Sequence, residues 1–237
     1  MKLLAIDAAG NSASVALWID GALHEHSGSS ERGHGEQLLA YVDVVLAEGG
    51  LALGQLDAIA FGRGPGAFTG LRLAASVTQG LAFSSGLPVL PVSNLEAVAW
   101  QAAARAPGPV AEGLGILACQ DARMGEAYWG AYAWQGGALQ PSLPEAVSPP
   151  ERLLELSAGW RAARAATGLL LAAGTALEAF PALAAQLRAD GARCLPALPP
   201  VAAAIAALAA RRGLAAAVPA EQAVPAYVRD DVARPSG

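Results

Sequence analysis

The chain has 237 residues, which suits one large domain or two small lobes; 54% are apolar, only 15% are charged, and the formal net charge is -5. This acidic balance, with arginines scattered singly and Lys2 as the one lysine, excludes the basic face by which a protein holds nucleic acid unaided. The apolar opening MKLLAID is broken by Asp7, and the longest apolar run, Val201 to Ala210, stops at Arg211 and Arg212, so neither a signal peptide nor a membrane span is expected.

The first half alternates strand and helix signals. Lys2 to Ile6 reads as a buried strand, Ala8 to Ser12 as a tight turn and Ser14 to Ile19 as a second strand. Asp20-Gly21 is a hairpin signal leading into a third strand, Ala22 to Ser27. A helix is predicted over Glu36–Ala47, a short strand over Ala58–Gly62, a helix over Leu71–Ser84 and a strand over Val89–Val92. Ser93-Asn94-Leu95-Glu96 fits a capping box that opens a third helix. The order is βββαβαβα, with the first lobe expected to span 1–106 and to end in a stiff Pro107-Gly108-Pro109 connection.

The second lobe, 107–237, reads as a looser copy. Strands are expected at Gly115–Cys119, Ala127–Trp134 and Leu169–Ala173, and helices at Thr175–Ala179, Pro181–Ala189 and Val201–Arg211. Ser148-Pro149-Pro150-Glu151 reads as another capping box, and the tail Val224–Arg229 as extended. A roughly repeated βββαβαβα order is the pattern of the two-lobed actin-like, sugar-kinase-like α/β ATPase fold. Cys119 and Cys194 stand far apart in apolar settings and read as free thiols of a reducing cytosol.

The stretch GRGPGAFTGLR, Gly62 to Arg72, joins a buried strand to a helix whose first amides lack internal partners, so an anion site is conceivable. No Gly-Lys-Ser/Thr follows, and Gly64, Gly66 and Gly70 have the wrong spacing for a dinucleotide fingerprint. Spacing therefore favours a structural turn, with Gly66 expected at positive φ after Pro65. Asp7 ends the first strand, where it either retains nucleotide chemistry or caps the next turn; the residues favour the cap. His24 and His26 share one strand face, but nothing in the sequence completes a metal set and no metal is expected. No G-x-S-x-G elbow supports a hydrolase. Asp121 and Arg123 read first as a local ion pair on a hairpin turn, and second as a contact to a partner molecule.

The two N-terminal helices carry more apolar surface than one packing face requires. Leu38, Val42 and Val45 make one stripe, Leu39 and Leu46 widen it, and Tyr41 and Val44 extend it to another side. In the next helix Leu73, Val77 and Leu81 are expected to face the core. Ala74, Thr78, Ala82 and Ser85 would then form a separate small-residue stripe on which another helix could settle closely.

FGRGPGAFTGLRLAASVTQGLA and the opening LAIDAAGNSASVAL strongly resemble the bacterial TsaB family, also called YeaZ. HGEQLLAYVDVVLAEGG, PVSNLEAVA, CQDARMGEAYWGAY and VPAYVR follow in the family's order, so the likeness covers nearly the whole chain. Ala67 departs from it, standing where a serine is usual. The resemblance implies a degenerate actin-like fold, no catalytic residues, no cofactor and a cytoplasmic location. It implies a non-catalytic subunit that pairs with and activates the TsaD transferase, which modifies adenosine 37 of ANN-decoding tRNAs. The small ATPase TsaE joins the pair, tRNA is met through the complex, and a homodimer is a candidate assembly without the partner. It also implies a partner surface on the two N-terminal helices, from Leu38, Leu39, Tyr41, Val42 and Val45 on one and Leu71, Arg72, Ala74, Ala75, Thr78 and Ala82 on the other. Asp7, Gly64, Gly66, Thr69, Asp121 and Arg123 are the candidate nucleotide or tRNA contacts. The alternative is an enzyme in its own right, an actin-like ATPase or a glycoprotease-like peptidase.

Overall fold

The computed structural model describes residues 1–10, 12–28, 34–106, 108–196, 198 and 201–228. Asn11, Pro107 and Arg229, which figure in the sequence reading, lie outside the described residues. The chain divides into two compact units.

In unit 1, β1 (Lys2–Asp7), β2 (Ala13–Ile19) and β3 (Ala22–Gly28) form an antiparallel meander. The β2–β3 turn places Asp20 at φ 48° and Gly21 at φ 104°, the left-handed pair that a two-residue hairpin needs. β4 (Ala58–Gly64) pairs parallel with β1, and β5 (Val89–Ser93) parallel with β4, giving the order β3-β2-β1-β4-β5. Leu3, Leu4, Ala5 and Ile6 are all buried, because both faces of β1 are covered; hence its continuous apolar run. On one face lie α1 (His34–Glu48) and α2 (Phe68–Ser85), packed on Leu4, Ile6, Val15, Leu17, Ile59 and Phe61. α7 (Ala202–Arg212), near the C-terminus, packs against β1, β2, β4 and β5.

That return of the chain departs from the expected division. Unit 1 comprises Met1–Ala97 together with Pro199–Pro225, so one cut near residue 106 does not separate the two units. The boundary falls inside α3 (Asn94–Ala103), and α7 is held to unit 1 by side chains from elsewhere in it. The Glu25 carboxylate accepts the amide of Ala203, and Arg212 pairs with Glu96.

Unit 2 holds β6 (Gly115–Asp121), β7 (Ala127–Gln135), β8 (Ala138–Ser148), α4 (Pro150–Ala165), β9 (Leu170–Ala173), α5 (Ala176–Ala179), α6 (Pro181–Ala189) and β10 (Arg193–Leu195). Its strand order, β8-β7-β6-β9-β10, repeats that of unit 1 strand for strand, with the same antiparallel and parallel senses. The copy is therefore closer than the sequence suggests. β8 escapes sequence reading because Pro141 and Pro144 interrupt it, which an edge strand tolerates. β10 has only three residues. This duplicated five-strand topology is the actin-like, ribonuclease H-like α/β class.

Two capping expectations change. The amide of Glu96 donates to Ser93 Oγ at 3.2 Å, but the Glu96 carboxylate turns to Arg212 instead of closing the box. Ser148 does not cap α4; Pro149 stands at the cap, and the buried Ser148 hydroxyl accepts the Trp129 indole N–H at 3.0 Å.

Candidate functional site

The end of β1, the loop after β4 and the start of α3 meet around Asp7. Its side chain is 3% exposed and accepts a hydrogen bond from Asn94 Nδ2 at 2.6 Å, while Asn94 Oδ1 accepts the amide of Gly64 at 2.8 Å. The amide of Ala9 also donates to Asp7, so the carboxylate does hold its own turn. Asn94 is the residue sequence reasoning missed. Its only signal is a buried-strand end followed by Ser-Asn, which reads equally well as a helix cap.

The loop fits this cluster with no space to spare. A Cβ on Gly62 would stand 2.3 Å from Asp7 Oδ1, one on Gly66 would stand 2.7 Å from the Ala9 Cβ, and one on Gly70 would stand 1.8 Å from the Ala8 carbonyl oxygen. The Ala67 amide donates to the Ala9 carbonyl at 2.9 Å. The glycine requirement at Gly66 is thus close approach of two backbones; the positive φ belongs to Gly64, at 109°. Asp7, Gly64 and Gly66 are brought together, and Thr69 lies exposed on the first turn of α2.

Burial pushes the Asp7 carboxyl up to about 6, against the opposing pull of Asn94 and the Ala9 amide. The folded state therefore favours the protonated form. Asp7's contribution to stability is full below its unfolded value of 3.8 and is lost as pH rises through about 6, a span worth roughly 3 kcal/mol. Glu25, which is raised by burial too, slopes the same way. Urea unfolding from pH 4 to pH 7.5 is expected to show falling stability, and Asp7→Asn to remove most of Asp7's share whatever its absolute stability. An unchanged slope in the variant would contradict this assignment.

Asp121 and Arg123 lie in unit 2, apart from the Asp7 cluster in sequence and unit. The Arg123 amide donates to Asp121 Oδ1 at 2.8 Å, and its guanidinium pairs with Oδ2 at 3.0 Å. Arg123 and the exposed Met124 both adopt positive φ at the hairpin tip.

The helical surface requires a correction. In α1, Leu38, Val42 and Val45 are wholly inside unit 1, Tyr41 is half-buried, and Leu39 and Val44 are the exposed apolar residues. In α2, Leu71, Ala74, Ala75, Thr78 and Ala82 are buried, while Leu73, Val77 and Leu81 lie at the margin of the core. The stripes are reversed relative to the sequence expectation. Small residues face inward because they let α2 come close to β4, β1 and the 220–222 segment, and Ala220 and Ala223 join the same cluster. Outward stand Arg72, whose guanidinium lies 3.8 Å over the Phe68 ring, and Phe83, which is 83% exposed.

A family model described as TsaD, tRNA N6-adenosine threonylcarbamoyltransferase, matches residues 26–235. The tRNA threonylcarbamoyladenosine biosynthesis protein TsaB of Escherichia coli is 37% identical over 98% of this chain and 96% of its own length. This chain belongs to the TsaB (YeaZ) family. The Haemophilus influenzae member is 43% identical over 54% of this chain and 52% of its own. Among solved structures, YeaZ from Pseudomonas aeruginosa superposes with a TM-score of 0.76 at 39% identity, covering 95% of this chain and 99% of that one. A second structure, described as an uncharacterised protein similar to the peptidase YeaZ from Pseudomonas aeruginosa, gives 0.78 at 38% identity over 96% and 99%. Among the described residues no helix is long and apolar enough to cross a membrane.

Proposed function

We propose that this chain is the cytoplasmic, non-catalytic subunit of a tRNA threonylcarbamoyladenosine synthesis complex, where it pairs with and activates a TsaD-type transferase. The observation that carries this reading is the match to Escherichia coli TsaB along almost the whole of both chains. The exposed apolar side chains of the two N-terminal helices support it, Leu39 and Val44 on α1 and Phe68 and Phe83 on α2. The docking surface drawn from these residues replaces the buried stripe Ala74, Thr78, Ala82. The loop 62–72 lacks a lysine, and Asp7 is occupied by Asn94 and the Ala9 amide, which favours a structural role over nucleotide turnover. A TsaE-type ATPase and tRNA are met through the complex.

Reconstitution tests the reading. With the transferase, the ATPase, the threonylcarbamoyl donor and tRNA present, modification is expected to depend on this chain, and the chain alone is expected to turn over neither ATP nor peptide. Modification that proceeds equally without it would remove the activating role, and turnover by the chain alone would restore the enzyme reading.

A further inference from the structure

We propose that residues 213–224 form a strap over the β5 edge of unit 1, and that its closure beneath α2 is linked to partner docking on that helix. This rests on the pairing with the transferase proposed above and adds a conformational device to it.

The path of the chain makes the strap. Neighbouring residues of β3 point to opposite faces of the sheet. His26 meets Glu48 of α1, whereas the Glu25 carboxylate accepts the Ala203 amide of α7, so α1 and α7 cover opposite faces. α7 ends at Gly213, where the chain turns at φ 68°. It then crosses the outer edge of β5, where Val218 and Val89 exchange two backbone hydrogen bonds of 2.8 Å. Past that edge it reaches the α2 side. The turn Ala220–Gln222 packs against α2, and Ala220 and Ala223 join the cluster that holds Ala74, Ala75 and Ala82.

The strap is held lightly. From 213 to 224 only Ala220 and Ala223 are buried, and each offers a single methyl group. Val218 is half-buried, and Leu214 and Val224 are exposed. By contrast α7 buries Ile205 and Leu208, and Glu25 and Arg212 hold its two ends. A segment with few buried apolar groups and one isolated bridge opens locally while the rest of the fold stays intact.

The linkage follows from what the strap supports. Its two alanines belong to the cluster into which the inner stripe of α2 packs, and the exposed Phe83 directly follows Ala82 of that stripe. With the strap open, the stripe loses part of its backing and α2 is no longer fixed in one position. A partner that recognises α2 in the closed position therefore favours the closed strap, and the closed strap favours the partner to the same degree. Affinity then falls with the fraction of chains whose strap is closed.

Hydrogen exchange on the full-length chain, free and bound to the TsaD-type transferase, reads the strap without any substitution. In the free chain the 214–224 amides are expected to exchange at least about tenfold faster than those of β1, and to slow on binding. Two variants lower the closed fraction. Ala223→Asp buries a charge only when the strap is closed, and Val218→Pro removes the donor to Val89. Ala217, at φ -79° and ψ 149°, already has the extended backbone that a following proline requires. Each variant should keep its circular dichroism spectrum and bind the transferase about tenfold or more weakly. Strap amides as protected as those of β1 in the free chain, or unchanged by binding, overturn the proposal, as does wild-type affinity in both folded variants. A wild-type chain that does not bind the transferase removes the pairing itself, whereas binding without any change in the strap removes only the linkage.

Discussion

Gly70→Ala is expected to lower the unfolding free energy by more than about 3 kcal/mol, and Gly66→Val by a comparable amount. At Gly70 the added carbon would fall 1.8 Å from the Ala8 carbonyl oxygen, and at Gly66 2.8 Å from the Ala9 carbonyl oxygen. Both obstacles are backbone, so no side chain can rotate away. Relief requires α2 to withdraw from the end of β1, which would break the Ala67–Ala9 hydrogen bond and disturb the Asn94 bridge from Gly64 to Asp7. Thermal melting and urea titration read the loss directly. A variant with wild-type stability that nevertheless fails to support tRNA modification would show instead that the loop is a ligand site.

Ala82→Arg is expected to unfold unit 1 or to cost more than about 3 kcal/mol, because Ala82 is 1% exposed and the new charge would have no partner in the core. Its neighbour gives the opposite outcome. Phe83→Asp should leave stability within about 0.5 kcal/mol, yet weaken association with the transferase by about 2 kcal/mol or more if that ring anchors the interface. Circular dichroism and titration calorimetry separate the two effects. A folded Ala82→Arg protein would contradict the inward placement of the small stripe.

These adjacent positions show how far the sequence can be read. The limits of α1 and α2 follow approximately from apolar periodicity, and the two apolar stripes of α2 are visible in it. Which stripe faces the sheet is not, because periodicity gives the angle between faces and not their assignment. Leu73, Val77 and Leu81 look like the better core by hydrophobicity alone. Close packing of α2 on β4 and on the returning 220–222 segment favours alanine and threonine inside. That segment arrives from more than 130 residues away, and no local pattern announces it. The same non-locality hides α7's membership of unit 1.

The glycine loop is legible as a constrained turn, but the reason for the constraint is not. Pro65-Gly66 suggests a positive φ, whereas the structure places that demand at Gly64 and gives Gly66 a neighbour, Ala9, from another strand end. Likewise Asp7 is visible as a strand-terminal acid, but its partner Asn94 stands 87 residues on. His24 and His26 are visible as a pair, while Glu48 comes from the far end of α1. In each case the sequence supplies one side of a contact, and only the fold supplies the other.

The measurement that bears most directly on the central claim is a calorimetric titration of this chain into the TsaD-type transferase subunit. The account predicts saturable association by the wild-type chain, and a clear loss of affinity for folded Phe83→Asp and Leu39→Asp variants. No association by the wild-type chain, with both proteins folded, would contradict it.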